Sequence, residues 1–159
     1  MVPSGHRRVT VLEIRVQQDD FSVQREYDGL CRENTDDGAV VFFVGRVRDL
    51  NEGDTVTGMF LEHYPGMTEK TLQSIADEAR HRWPLNRIRI VHRVGALNPS
   101  DQIVFVGVSS PHRGAAFDGA QYIMDFLKTR APFWKKESTP EGDRWVDARS
   151  SDTEQENRW

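Results

Sequence analysis

The chain of 159 residues has a single cysteine, Cys31, so no internal disulfide can form, and none of its Cys/His spacings has the pattern of a zinc site. A reducing compartment is expected, with no metal and no cofactor. Long apolar runs are also missing. The basic start MVPSGHRR leads into a segment holding Glu13 and Arg15, where a signal peptide or membrane span needs unbroken apolar residues. The expectation is a cytoplasmic protein with no membrane contact. There is no serine in a nucleophile elbow, no glycine-rich nucleotide loop and no paired acid and base, which leaves hydrolase, kinase and dinucleotide chemistry without support. The formal net charge is −4 despite 21 lysines and arginines. That argues against nucleic acid as a partner and requires any cationic site to be focused in a pocket.

What the chain does have is a strongly patterned stretch from Ser109 to Glu137. Serines and a proline favour a helix start, and PHR places His112 and Arg113 in the first turn, where free backbone N–H groups and the helix dipole attract anions. Ala116, Ala120, Ile123, Met124 and Leu127 recur at helical spacing, so one face is apolar. Pro132 ends the helix. The alternation after it puts Lys135 on the side of Phe133 and Lys136 on the side of Trp134.

The rest of the chain supplies a frame. Residues 9–16 alternate as a half-buried strand, and 21–33 have helical spacing in which Cys31 reads as a small core residue. GAVVFFVG, residues 38–45, is too apolar for a one-sided strand and is expected in the middle of the sheet, delivering Arg46 and Arg48 to its end. A polar loop follows, then a strand over 55–64 and a helix from Thr68 whose stripe is Leu72, Ile75, Ala76, Ala79 and Trp83. Residues 88–94 alternate, with His92 reading as a core histidine. Ile103 to Val108 forms a second apolar, central strand, and a short strand lies near Arg144–Val146. One α+β domain over 1–159 is expected, a mainly antiparallel mixed sheet with helices on one side and flexible ends at 1–8 and 150–159.

The candidate functional side chains are Arg48, His112, Arg113, Lys128, Lys135 and Arg149, nearly all fixed cations, so the ligand should be an anion. His112 and Lys128 lie 16 positions apart on one helix, ~24 Å at ~1.5 Å per residue. One small ligand cannot span both, and a two-fold homodimer in which each subunit completes the other's site is the simplest solution. From these residues alone, a scaffold that captures a phosphorylated metabolite and a lysine enzyme forming a Schiff base stay open beside it.

The strings GAVVFFVGRVRD, LEHYPGMTEK, RWPLNRIRIVHRVG, DQIVFVGVSSPHR, FLKTRAPFWKKE and TPEGDRWVDAR resemble the large, catalytic subunit of molybdopterin synthase, the MoaE family, over Gly38 to Arg149. The resemblance implies an α/β hammerhead fold and a sulfurtransferase acting in molybdenum cofactor biosynthesis. Its substrate is cyclic pyranopterin monophosphate (precursor Z), its product the dithiolene molybdopterin, and no metal takes part in the step. Sulfur arrives as a thiocarboxylate on the C-terminus of a small ubiquitin-like subunit, MoaD-like, and two large subunits form the homodimer core of a heterotetramer. The same resemblance implies that Lys128 and Lys135 are the catalytic lysines. It places Arg48, His112 and Arg113 in the substrate pocket, with Arg149 near it.

Overall fold

A computed structural model of the chain describes residues 10–51, 53–146 and 157–159. The first sheet joins β1 (Val11–Gln17), β6 (Arg87–Arg93), β8 (Gln102–Ser110) and β2 (Ala39–Arg46) in that order. β1 runs parallel to β6, and the other two pairings are antiparallel. The second sheet is antiparallel throughout, in the order β10 (Gly142–Val146), β9 (Phe133–Thr139), β5 (Gly58–His63), β7 (Gly95–Leu97). Between β2 and β5, β3 (Leu50–Asn51) and β4 (Asp54–Thr55) pair as a small hairpin within the segment expected to be a loop.

Helix α2 (Met67–Arg82) buries Leu72, Ile75, Ala76 and Ala79, and α3 (Arg113–Arg130) buries Ala116, Ala120, Ile123 and Leu127. Both stripes meet Ile88 and Ile90 of β6 and Val104, Val106 and Val108 of β8 in the largest core cluster. Helix α1 (Val23–Cys31) starts at Ser22, whose Oγ accepts from the Arg25 N–H. It packs Leu30 onto Phe105 and Val91, which alternate with the residues under α2 and α3. The first sheet is therefore covered on both faces, where one side was expected. The arginines of β6 explain the difference. They read as a solvent face, but Arg89 Nη2 lies 3.0 Å from the buried carboxylate of Glu26 on α1, and Arg87 donates to the carbonyls of Gly29 and Arg32. Gly107 lets the helix come close, since a Cβ there would stand 2.6 Å from Leu30 Cδ1.

β2 is an edge strand and not a central one. Its apolar run is explained by two covered faces: Val41 packs toward α2 and α3, while Val40 and Val44 pack toward α1. Phe42 stacks on Phe105 with centroids 5.4 Å apart. The final residue also departs from a frayed end: the Trp159 indole packs edge-on against Trp83 and Tyr122 and donates to Asp125. Among the described residues no helix is long and apolar enough to cross a membrane.

Candidate active site

The joint between α3 and β9 carries both candidate lysines. α3 closes with the Ala131 N–H donating to the Leu127 carbonyl, and Pro132, which cannot extend a helix, hands the chain to β9. The Pro132 carbonyl accepts from the Thr68 hydroxyl at 3.0 Å, which ties the joint to the start of α2. Lys128 lies in the last helical turn, exposed. Lys135 follows on β9, opposite Leu61 of β5 and Val146 of β10.

Strand alternation sends Phe133, Lys135 and Glu137 to one face and Trp134 and Lys136 to the other. On the inner face Glu137 is 2% exposed; one carboxylate oxygen lies 3.4 Å from Lys135 Nζ and the other 3.4 Å from Arg144 Nη2. A carboxylate this deep is held by the two cations it serves. On the outer face the Lys136 ammonium sits over the Trp145 ring at 5.5 Å. Only Lys135 of the adjacent pair points into the fold.

Beneath the joint lies His92, 4% exposed, its ring stacked on Phe133 at a centroid separation of 3.8 Å. Burial pushes the imidazole down to about 3, and the neighbouring Lys128 and His63 act in the same direction against its hydrogen bond to the Arg93 carbonyl. His92 is therefore neutral near pH 7, and Lys128 and His63 are its electrostatic neighbours.

Arg48 follows Val47, which packs with Met59 and Leu61, the β5 residues that oppose Glu137 and Lys135. It lines a cleft of about 560 Å³ together with Arg46, Asp49, Pro99 and Ser100, and neither lysine lines that cleft. His112 is the N-cap of α3 and Arg113 its first residue, both exposed, at the opposite end of the helix from Lys128. Within one chain the fold thus gathers Lys128 and Lys135 at one joint, sets Arg48 beside the same core cluster, and keeps His112 and Arg113 apart. Arg149 lies outside the described residues. Glu137, His92 and His63 were given no role from sequence. For Glu137 the signal was there, because a position two residues after Lys135 on a strand shares its face.

This mixed fold is one found among known proteins. Residues 16–130 match the sequence profile of the MoaE family, described as MoaE protein, and the chain belongs to that family. It is 62% identical over 139 residues to the molybdopterin synthase catalytic subunit of Escherichia coli (strain K12), covering 87% of this chain and 92% of that one. Identity to the protein of the same name from Vibrio cholerae is 58% over 146 residues, covering 92% and 97%. The solved structure of the molybdopterin biosynthesis MoaE protein from Burkholderia ambifaria MC40-6 superposes with a TM-score of 0.80 at 54% identity, covering 93% of this chain and 97% of that one.

Proposed function

We propose that the cations around the α3–β9 joint form the active site for transfer of sulfur to cyclic pyranopterin monophosphate. As a member of its family the chain acts as a sulfurtransferase that makes the molybdopterin dithiolene in molybdenum cofactor biosynthesis, with a small ubiquitin-like subunit carrying the sulfur as a C-terminal thiocarboxylate. One domain over 1–159 and a cytoplasmic location fit this role. Arg48, His112 and Arg113 hold the phosphate and pterin, a task suited to guanidinium groups and a helix N-terminus. Lys128 orients the incoming tail carbonyl, and Lys135 assists proton transfer or stabilises charge during sulfur addition and acyl release. Arg149, which lies outside the described residues, is in this reading a further substrate-binding arginine. Because His112 and Arg113 stand at the far end of α3 from Lys128, the pocket is completed across a two-fold dimer.

The observation that carries this reading is the setting of Lys135: a side chain turned inward, held by the buried Glu137 and one helix joint away from Lys128. The position of Cys31 supports an external sulfur source. It sits on α1 beside Leu30 and Phe105, on the opposite face of the first sheet from α3. Incubating the chain with cyclic pyranopterin monophosphate and a thiocarboxylated small subunit tests the reading. Dithiolene product is expected, whereas tight capture of either reactant without turnover would make the chain a scaffold.

A further inference from the structure

One carboxylate holds the strand end from which α3 starts. Asp37 lies two residues before β2, half-buried. Its Oδ2 accepts from the Ser109 hydroxyl at 2.7 Å and from Asn34 Nδ2 at 2.8 Å, and its Oδ1 accepts from Asn86 Nδ2 at 2.5 Å. The Asn86 backbone N–H donates in turn to the Ser109 carbonyl at 3.0 Å, so Ser109, fully buried, is fixed by side chain and main chain together. The donors come from three places in the chain: Asn34 follows α1, Asn86 precedes β6, and Ser109 is the penultimate residue of β8. Only Ser110 and Pro111 separate Ser109 from His112, and the ring of Pro111 fixes one of its backbone angles. Gly38, next to Asp37, runs so close to this turn that a Cβ on it would stand 3.1 Å from the Pro111 carbonyl oxygen. His112, the N-cap, makes no side-chain bond to the helix it opens, so the start of α3 is placed by what lies before it.

We propose that Asp37 is the positioning residue of the anion-binding end of α3. It fixes Ser109, and through it the place at which His112, Arg113 and the free N–H groups of the first turn meet the substrate phosphate. The inference rests on the reading of His112 and Arg113 as the phosphate seat. Asp37 acts from the far side of the sheet. Ser109 alternates with Val108, so it shares the α1 face with Phe105, while Val106 and Val108 face α3. A negative charge thus steadies the seat without facing the anion that the seat binds. Donors aimed in advance need no rearrangement when the anion arrives, which is what a binding site gains from such a support.

The test titrates inorganic phosphate into the intact ¹⁵N-labelled chain and follows the His112 ring and the Arg113 backbone N–H. Both resonances should shift and saturate in the native protein. Asp37→Asn keeps the shape but turns one acceptor into an NH₂ that faces the same donors, and should raise the phosphate Kd ~10-fold. Ser109→Ala removes only the hydroxyl link and should raise it at least ~3-fold, which keeps the question decidable if Asp37→Asn fails to fold. A native Kd in either folded variant overturns the proposal. So does a native chain whose His112 and Arg113 ignore phosphate, a result that removes the seat as well. Kinetics with the small subunit and cyclic pyranopterin monophosphate give a second reading. A loosened seat weakens ground state and transition state alike, so in Asp37→Asn KM should rise ~10-fold with kcat within about twofold of native. A fall in kcat at native KM would assign Asp37 to packing alone. In an Arg113→Ala background, adding Asp37→Asn should weaken substrate binding, read by calorimetry, almost no further; fully additive losses contradict the proposal. If the native chain binds phosphate yet forms no dithiolene, the functional reading fails on its own, and the phosphate titration still decides the role of Asp37.

Discussion

Lys135 Nζ lies 3.4 Å from the carboxylate of Glu137, two residues along the same strand, and that carboxylate is 2% exposed. Glu137 also takes Arg144 at the same distance, so one buried anion fixes two cations on the inner face of the second sheet. Glu137→Gln keeps the shape and removes the charge. Both cations are about a third exposed and can be hydrated, so stability should drop by only ~1 kcal/mol. Turnover should fall at least ~10-fold, as Lys135 loses its fixed position. Thermal melts beside steady-state rates check the two parts separately.

Lys135→Ala should cost activity much more than assembly. A group acting on the reacting centre typically contributes ~10²–10⁴-fold. Affinity for the small subunit, read by titration calorimetry, should change by less than ~10-fold in the same variant. Native turnover in Lys135→Ala would remove its assigned role.

Acid should destabilise the fold through His92. The imidazole takes up its proton near 6.5 in the unfolded chain and at about 3 in the folded one, so the unfolded chain binds the proton first as pH falls. The contribution is therefore complete above about pH 6.5 and shrinks by up to ~1.4 kcal/mol per pH unit between there and about pH 3. Denaturant unfolding across this window should give a shallower pH slope for His92→Gln than for the native chain.

Trp159 covers a buried acid. Its Nε1–H donates to Asp125 Oδ2 at 2.6 Å, Asp125 is 5% exposed, and the Arg82 guanidinium lies 5.1 Å from the Tyr122 ring of the same cluster. Trp159→Ala removes a hydrogen bond to a carboxylate and an edge-on aromatic partner, so unfolding free energy should fall by ~1–3 kcal/mol. A melting temperature unchanged from native would show that the terminal residue bears no structural load.

Local patterning made much of this fold readable. Of the expected α2 stripe, Leu72, Ile75, Ala76 and Ala79 are fully buried, while Trp83 is the half-buried C-cap, and Pro84 follows that helix as expected. The end of α3 at Arg130, the placing of Lys135 and Lys136 on opposite faces of β9 and the central place of β8 also follow from spacing. Features set by distant pairing were not readable. An apolar run such as Val40–Val44 says that both faces of a strand are covered, but not whether both of its edges are paired. The short β7, Gly95–Leu97, exists because β5 offers an edge to pair with, which no local signal announces. The arginines of β6 look solvated in sequence and act as props under α1. Of the site, the cations stood out by residue type and Glu137 shares the face of Lys135 by its spacing, while His92 acquires meaning only from the side chains folded against it.

The central claim is that the two cationic ends of α3 serve one pocket across two protomers. Arg113→Ala and Lys135→Ala homodimers, each inactive alone, can be mixed, partly unfolded and reassembled so that subunits exchange. If the claim holds, each mixed dimer contains one site free of both substitutions, and dithiolene formation should return to about a quarter of the native rate, from half the dimers carrying one site in two. Mixed dimers as inactive as their parents would contradict it.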